Sequence, residues 1–467
     1  MAMLIPRRES IINDKYIHQV ISGLREEDDF WVREILAKAR ELKGLNQSDM
    51  LGLMTIQSEP LLHELFAAAR YVKDEIYGKR LVIFAPMYVS NLCHNECTYC
   101  AFRAKNKSIQ RRSLSQDEIA AETLKLTECG HKRVLLVAGE AYPKQGFQYI
   151  LDAIDTVYRS KSGNGEIRRI NVNVAPLTEN EFEQLKERKI GTYQLFQETY
   201  NRNIYGKVHL AGKKADYQWR LSAIDRALNA GLNDVGIGVL FGLGDWRYEL
   251  LALKSHIEYL ERRFGIGPHT ISVPRLEPAD GSVIASAPPF PIDDMTFQKI
   301  VAILRLSVPY TGIIMSTRET PHLRRESFAL GVSQISAGSR TNPGGYSEAD
   351  TGNGAQFSLG DHRSLDEVVK DVASLGYVPS FCTGCYRLGR VGADFMDMAR
   401  PGLIKRHCDP NGVSTFLEYL NDFASPETRE VGMKCIEQAL AGMDETPKRV
   451  AETLLRQVNE GKRDIYC

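Results

Sequence analysis

Short β-rich apolar runs and amphipathic helical stretches alternate through the middle of the chain. The runs fall at residues 80–89, 133–138, 170–174, 192–196, 235–240, 270–273, 312–316 and 332–336. Between them, residues 117–128, 179–188, 219–230, 249–263 and 294–306 repeat apolar side chains at helical spacing. Eight strands with intervening helices over about 260 residues match the usual size of a (β/α)8 barrel. A doubly wound open sheet is the competing arrangement. The barrel is favoured because the candidate polar residues stand at strand ends, where eight-stranded barrels build their sites.

The flanks read differently. Residues 10–80 are helical and charged, with a run at 29–40 of helical period and a second helix that Ser48 is placed to cap. Beyond about residue 358 no strand alternation is found, and helices are expected at 415–423, 429–441 and 447–458. The expected units are a helical extension at 1–79, the barrel at 80–357 and a mainly helical unit at 358–467. Residues 162–165 and 342–353 have loop composition.

Composition narrows the function. Lys plus Arg and Asp plus Glu both number 59, which gives no basic surface for nucleic acid or polyanions. Residues 1–10 lack the apolar core of a signal peptide and no run of 18 apolar residues occurs, so a soluble, cytoplasmic protein without membrane contact is expected. Nine cysteines in such a chain point to reduced thiols and metal rather than disulfides.

Six of the nine form two groups. Cys93, Cys97 and Cys100 have the spacing C-x3-C-x2-C, with Tyr99 before the last. Thiolates on so short a loop can take three corners of a cubane cluster and leave one iron open for chemistry. A zinc site would need a fourth ligand, for which His94 is the nearest donor. Cys382 and Cys385 form a C-x2-C hairpin, followed after 22 residues by Cys408. On spacing alone, zinc with His407 as fourth ligand and an iron–sulfur cluster balance evenly, and the first group tips the choice toward iron–sulfur. Cys129, Cys435 and Cys467 stand alone and read as buried or idle thiols.

Polar residues gather at strand ends. The second strand ends in Gly139-Glu140, and the fourth in Gln197-Glu198, a pair suited to ribose hydroxyls. The glycine-rich run at 236–244 lets backbone approach a flat ligand but has the wrong spacing for a dinucleotide fingerprint. Asn171 and Asn173 share one face of the third strand, as substrate contacts or as a satisfied polar layer. The seventh strand ends in Ser316, Arg318 and Glu319. Arg318 and Arg275 can each anchor a carboxylate or sit in a salt bridge. A lone histidine beside a strand, such as His269, is more often a core residue than a ligand.

The Cys93–Cys97–Cys100 loop resembles the signature of radical S-adenosylmethionine (SAM) enzymes. With the tail group added, the chain resembles, over nearly its whole length, the radical SAM tyrosine lyases of [FeFe]-hydrogenase maturation. Stretches 196–200, 267–276, 309–312 and 316–319 match as well. The 2-iminoacetate synthases of thiamine biosynthesis are near relatives that share the barrel and cleave tyrosine but lack the tail motif. The resemblance implies a radical SAM (β/α)8 fold with an auxiliary-cluster unit, and two [4Fe–4S] clusters. It implies SAM contacts from Tyr99, Gly139, Glu140, Gln197 and Glu198. The family's Gly-Gly-Glu element is here Ala138-Gly139-Glu140, a departure. Cys93, Cys97 and Cys100 would hold one cluster, Cys382, Cys385 and Cys408 the other, and His269 an extra fifth iron on the second. Arg318, with Ser316 and Arg275 as weaker candidates, would hold the substrate.

The implied reaction reduces SAM to methionine and a 5′-deoxyadenosyl radical, which takes hydrogen from the amino group of L-tyrosine. The Cα–Cβ bond then breaks to p-cresol and dehydroglycine, and the latter gives CO and cyanide for the hydrogenase. An electron donor such as ferredoxin or flavodoxin and hydrogenase-maturation partners are implied. Two alternatives are a plain tyrosine lyase yielding 2-iminoacetate and an iron–sulfur carrier without radical chemistry. A carrier has no use for Glu140 or Glu198.

Overall fold

The structure, a computed structural model, describes residues 10–347 and 354–467. The expectation for residues 1–9, and the part of the loop at 348–353, lie outside the described residues. All eight expected strands form, as β1 (Arg80–Ser90), β2 (Arg133–Ala138), β3 (Arg169–Asn173), β4 (Tyr193–Glu198), β5 (Val235–Val239), β6 (Thr270–Ser272), β7 (Gly312–Met315) and β8 (Val332–Ser336). Each pairs in parallel with the next, and β8 returns to β1 through Val82↔Gln334 and Phe84↔Ser336, which closes the barrel. Closure leaves no sheet edge, and the surrounding helices cover the outward side chains, so strand residues such as Ile83, Val134, Ile170 and Ile313 are buried.

The helices form where their ends can be satisfied. Gln116–Glu128 starts from a capping box of Ser115 and Glu118, and Trp246–Phe264 ends at Gly265 in a left-handed conformation. The single helix expected at 219–230 is broken into Tyr217–Leu221 and Ala223–Asn229. Ser222 lies at the break, where its hydroxyl donates back to Gln218 O at 2.8 Å and accepts from Arg226 Nη1 at 2.9 Å. Of the N-terminal helices, Glu59–Tyr77 packs outside the barrel against Asp294–Ser307 and Pro321–Leu330, Gln47–Met54 against Asp294–Ser307 and Trp246–Phe264, and Asp29–Ala39 on the other two.

The tail corrects the expectation of no strand after residue 358. Val378–Ser380 forms β9, parallel to the first residues of β1 (Arg80↔Val378, Val82↔Ser380). β1 is 11 residues long and β2 pairs with it only from Ala85 onward. Its lower end therefore offers free hydrogen-bonding groups below β2, and β9 takes them. A three-residue strand with Pro379 in its middle has no periodicity to reveal it. Its effect is to deliver the tail cysteines to the lower end of the barrel. Among the described residues no helix is long and apolar enough to cross a membrane.

Candidate active site

The cysteine loop leaves the upper end of β1 and is laced by side chains. Asn91 accepts Arg112 N–H at 2.8 Å and donates to Gln110 O at 2.7 Å, while Arg111 Nη1 donates to Asn91 O and Phe102 O. Gly139 lies against it so closely that a Cβ there would stand 2.2 Å from Leu92 O. The glycine retained in the altered element is thus the one on which the loop rests. The segment after helix Arg202–Val208 pairs with the loop through Glu96 N–H to Ala211 O (3.0 Å) and Leu210 N–H to Glu96 O (2.9 Å). The Tyr99 hydroxyl lies 2.9 Å from His209 Nε2, and burial lowers the His209 pKa far enough to keep it neutral.

Cys93, Cys97 and Cys100 all line one large cavity at this end, of about 1430 Å³ with its open mouth included. Tyr99, Gly139, Glu140, Glu198, Ser316 and Arg318 line it too. Glu140 takes Arg220 Nη1 at 2.8 Å and Asn95 Nδ2 at 2.7 Å; Glu198 takes Lys214 Nζ at 2.7 Å. Burial works to raise the Glu140 pKa, but Arg220 and Lys214 outweigh it and hold the carboxyl below its usual range. Burial likewise opposes the charges of Arg220 and Lys214, and the two carboxylates more than offset it. Glu140, Arg220 and Lys214 are therefore charged. Glu198 reaches the cavity through a register shift in β4 and a left-handed backbone of φ 70°, a strained conformation for a residue with a Cβ and one typical of functional sites.

The sequence missed Lys214, Arg220, His209 and Glu277. The first two lie in helical turns after β4, where Lys and Arg usually read as solvated. Glu277 lines the cavity near Arg318; burial first, then Glu319, pushes its pKa up to about 7. Other expected residues fall elsewhere. Gln197 is buried beside the cavity without lining it. Arg275 is held by Glu319 (Nε to Oε2, 3.0 Å) and Asp294 (2.9 Å) and is not on the cavity wall, the salt-bridge outcome. Asn171 belongs to a satisfied polar layer with Arg169 Nε and Thr192 N–H, while Asn173 lines the cavity. A Cβ at Gly238 would meet Phe196 and Ser272 O, so this glycine makes room for its neighbours. His94 is exposed and lines a second hollow that also touches Cys93.

At the lower end, Cys382 follows β9 and Cys408 lies in the first turn of Lys405–Asp422. Arg133 Nη2, at the start of β2, donates to Cys382 O at 2.7 Å. Cys385 and Arg80 lower the Cys408 pKa against the opposing effect of burial. His269, just before β6, faces this end: Tyr386, the neighbour of Cys385, places its hydroxyl 3.2 Å from His269 Nε2. Cys467 does not stand apart as expected. Asn411 Oδ1 accepts its N–H at 2.8 Å, and its Sγ is 4.0 Å from His407 Nδ1.

Both thiol loops share a detail that fits an iron–sulfur centre. Each turns a backbone N–H toward its first sulfur, Asn95 N to Cys93 Sγ at 3.5 Å and Gly384 N to Cys382 Sγ at 3.3 Å. Gln356 Nε2 adds a donor 3.7 Å from Cys100 Sγ. Such donors stabilise thiolate charge on a cluster and tune its potential.

The Radical SAM superfamily profile matches residues 87–252, and that of the Biotin and Thiamin Synthesis associated domain matches residues 272–378. A crystal structure of HydG, a maturase of the [FeFe]-hydrogenase, is 44% identical, with a TM-score of 0.94 over 98% of this chain and 100% of that one. The HydG maturase from Carboxydothermus hydrogenoformans is 43% identical, with a TM-score of 0.83 over 95% and 97% of the two chains. The 2-iminoacetate synthase of Escherichia coli is 31% identical over 354 residues, covering 76% of this chain and 91% of that protein. The chain belongs to the radical SAM family of HydG and 2-iminoacetate synthase. As a radical SAM enzyme of this type it uses a [4Fe–4S] cluster and SAM, and the donor set of Cys93, Cys97 and Cys100 on the cavity wall suits that cluster.

Proposed function

We propose that this chain is a tyrosine lyase, splitting L-tyrosine at Cα–Cβ into p-cresol and dehydroglycine, and that its tail thiols carry a second cluster. Dehydroglycine would be converted there to CO and cyanide for assembly of an [FeFe]-hydrogenase active site. The supporting observation is the placement of two thiol trios at opposite ends of one barrel, the upper on a cavity with both carboxylates and cations. The chain length beyond the 354 residues shared with 2-iminoacetate synthase leaves room for the added step. Barrel, N-terminal helical extension and tail unit divide at about residues 80 and 358 in this reading.

When bound, the cluster and SAM supply one-electron reduction and abstraction of a hydrogen atom from the substrate. The protein's part is to bind, orient and keep water out. Glu140 takes the SAM amine and Glu198 the ribose hydroxyls, with Arg220 and Lys214 holding the two side chains in place. Tyr99 and Gly139 support the loop against them. Arg318 grips the tyrosine carboxylate with Ser316 beside it; its guanidinium lies 3.3 Å over the Phe357 ring, which fixes its plane. Glu277, near Arg318 on the cavity wall, accepts a proton from the substrate ammonium. Arg275 acts at a distance by holding Glu319. Cys382, Cys385 and Cys408 would hold the tail cluster and His269 an added iron. Reducing power would come from a ferredoxin or flavodoxin, and the product would pass to maturation partners.

The test uses reconstituted, reduced protein with SAM and tyrosine, assayed for p-cresol and for CO trapped by deoxymyoglobin. Both products are expected. Cresol without CO selects the 2-iminoacetate synthase reaction, and neither product overturns the lyase reading.

A further inference from the structure

The barrel floor holds a chain of side chains that the reaction at the upper end leaves unused. The His269 backbone is fixed on both sides, its N–H on Val235 O (2.8 Å) and its carbonyl under Gly312 N–H (2.9 Å). Its ring packs on Phe395 at 4.2 Å between centroids. One ring nitrogen, Nδ1, faces Asp234 Oδ2 at 3.7 Å; the other, Nε2, meets the Tyr386 hydroxyl at 3.2 Å. Asp234 also takes Arg169 Nη2 at 3.2 Å, and the same guanidinium lies on the face of the Tyr386 ring. Asp234 is 5% exposed and its Oδ1 has no hydrogen-bond partner among the described residues.

A neutral imidazole carries one N–H and one lone pair, and its neighbours decide which nitrogen has which. A carboxylate beside Nδ1 draws the proton there and leaves the Nε2 lone pair facing Tyr386, whose hydroxyl donates to it. The nitrogen that a metal ion would need is thus filled by a phenol belonging to the residue after Cys385. Resting on the reading of His269 as an iron ligand, we propose that Asp234 is a positioning residue that fixes the tautomer of His269, and that Tyr386 is a displaceable cap on Nε2. Metal binding then breaks the phenol–imidazole hydrogen bond, so the hydroxyl competes with the ion it makes room for. The cap keeps a buried lone pair satisfied while the site is unfilled, which a histidine under a barrel otherwise lacks.

Two opposite effects follow. Removing the hydroxyl in Tyr386→Phe removes the competitor, and ferrous ion binds about 2- to 10-fold more tightly, the worth of one ordinary hydrogen bond. Neutralising the orienting group in Asp234→Asn removes the support behind the ligand, and binding weakens about 10- to 100-fold. A purely structural role predicts loss in both variants; only a cap predicts gain in the first. Asp234→Glu, which keeps the charge, should recover part of the loss.

The experiment titrates ferrous ion alone, anaerobically, into cluster-reconstituted full-length protein freed of loosely held iron. Bound ion is read by equilibrium dialysis and Mössbauer spectroscopy with ⁵⁷Fe. His269→Ala serves as the reference. Loss of one binding class in His269→Ala, tighter binding in Tyr386→Phe and weaker binding in Asp234→Asn support the proposal. If His269→Ala loses the class but Tyr386→Phe binds no more tightly than the parent, the cap is refuted and the His269 reading stands. If His269→Ala binds as the parent does, that reading falls and the proposal with it. Should Asp234→Asn fail to fold, seen as lost cluster content and a lowered Tm, the Tyr386→Phe result decides alone.

Discussion

The two ends of the barrel gather three thiols each and surround them with opposite electrostatics. Above, Glu140 and Glu198 face Arg220 and Lys214 in matched pairs, and the thiols come from one loop of eight residues. Below, Arg80, Arg133 and Arg169 converge with Asp234 and Asp409 as their nearby acids, and the thiols come from two separate elements. A site with both signs fixed in place suits a ligand that is itself a zwitterion, as SAM and amino acids are. A site with excess positive charge suits thiolates and small anions. Burial first, then the Cys408 sulfur, pushes the Cys382 thiol up to about 11 against the opposing pull of Arg80 and Arg133. The contrast is what the proposed division of labour requires, with organic substrate handled above and anionic fragments below.

The sharpest way to break the comparison is to delete one thiol from each end. Cys97→Ala should abolish SAM cleavage and every product, a loss of about 10⁴-fold or more, as for other indispensable catalytic groups. Cys385→Ala should keep p-cresol and lose CO. Parallel loss of both products from the lower variant would mean that the ends do not act separately. Liquid chromatography for cresol and deoxymyoglobin for CO give the answer on one sample.

Sequence legibility follows the same division. The upper loop could be read because its three thiols lie within eight residues, a spacing with its own chemical meaning, and the eight strands because buried parallel strands leave continuous apolar runs separated by helical ones. Glu140 and Glu198 stood out by their place at strand ends. Arg220 and Lys214 did not, since the pairing that gives them meaning is made across 80 and 16 residues of chain. β9 was invisible for a related reason: three residues carry no period, and only the uncovered end of β1 explains them. The return of Cys467 to the tail thiols is likewise a tertiary contact with no local trace.

Second in size is the charge pairing above. Arg220→Met should leave Glu140 buried without its main partner and cost about 3–5 kcal/mol of stability, the usual cost of breaking one side of a buried pair. Urea denaturation measures it. A change under about 1 kcal/mol would place the pair among the weakly coupled surface kind and remove the electrostatic contrast between the ends.

A smaller effect separates two arginines that the sequence could not tell apart. Arg318→Lys keeps the charge but loses the planar fork, and KM for tyrosine should rise about 10- to 100-fold with SAM binding unchanged. Arg275→Lys, away from the cavity wall, should lower Tm and leave KM within about threefold. Initial rates at saturating SAM distinguish them, and equal KM effects would return Arg275 to the substrate.

The mildest test concerns Glu277. Burial, aided by Glu319, holds its carboxyl up, to about 7, so the group is protonated below that pH and becomes a base above it. If it accepts the substrate proton, kcat/KM for tyrosine should climb with pH and level off above 7. A single ionisation there gives about a tenfold rise from pH 6 to pH 8. Glu277→Gln should flatten this limb and lower the plateau, while SAM cleavage without tyrosine keeps its own profile. The sign matters, since a carboxylate serving only as a counter-ion for Arg318 competes with the substrate carboxylate, and its protonation at low pH would tighten tyrosine binding without changing kcat. A profile confined to KM therefore assigns Glu277 to charge balance, and one carried into kcat assigns it to proton transfer, which puts the first proton movement at the upper end, where both signs of charge are already in place.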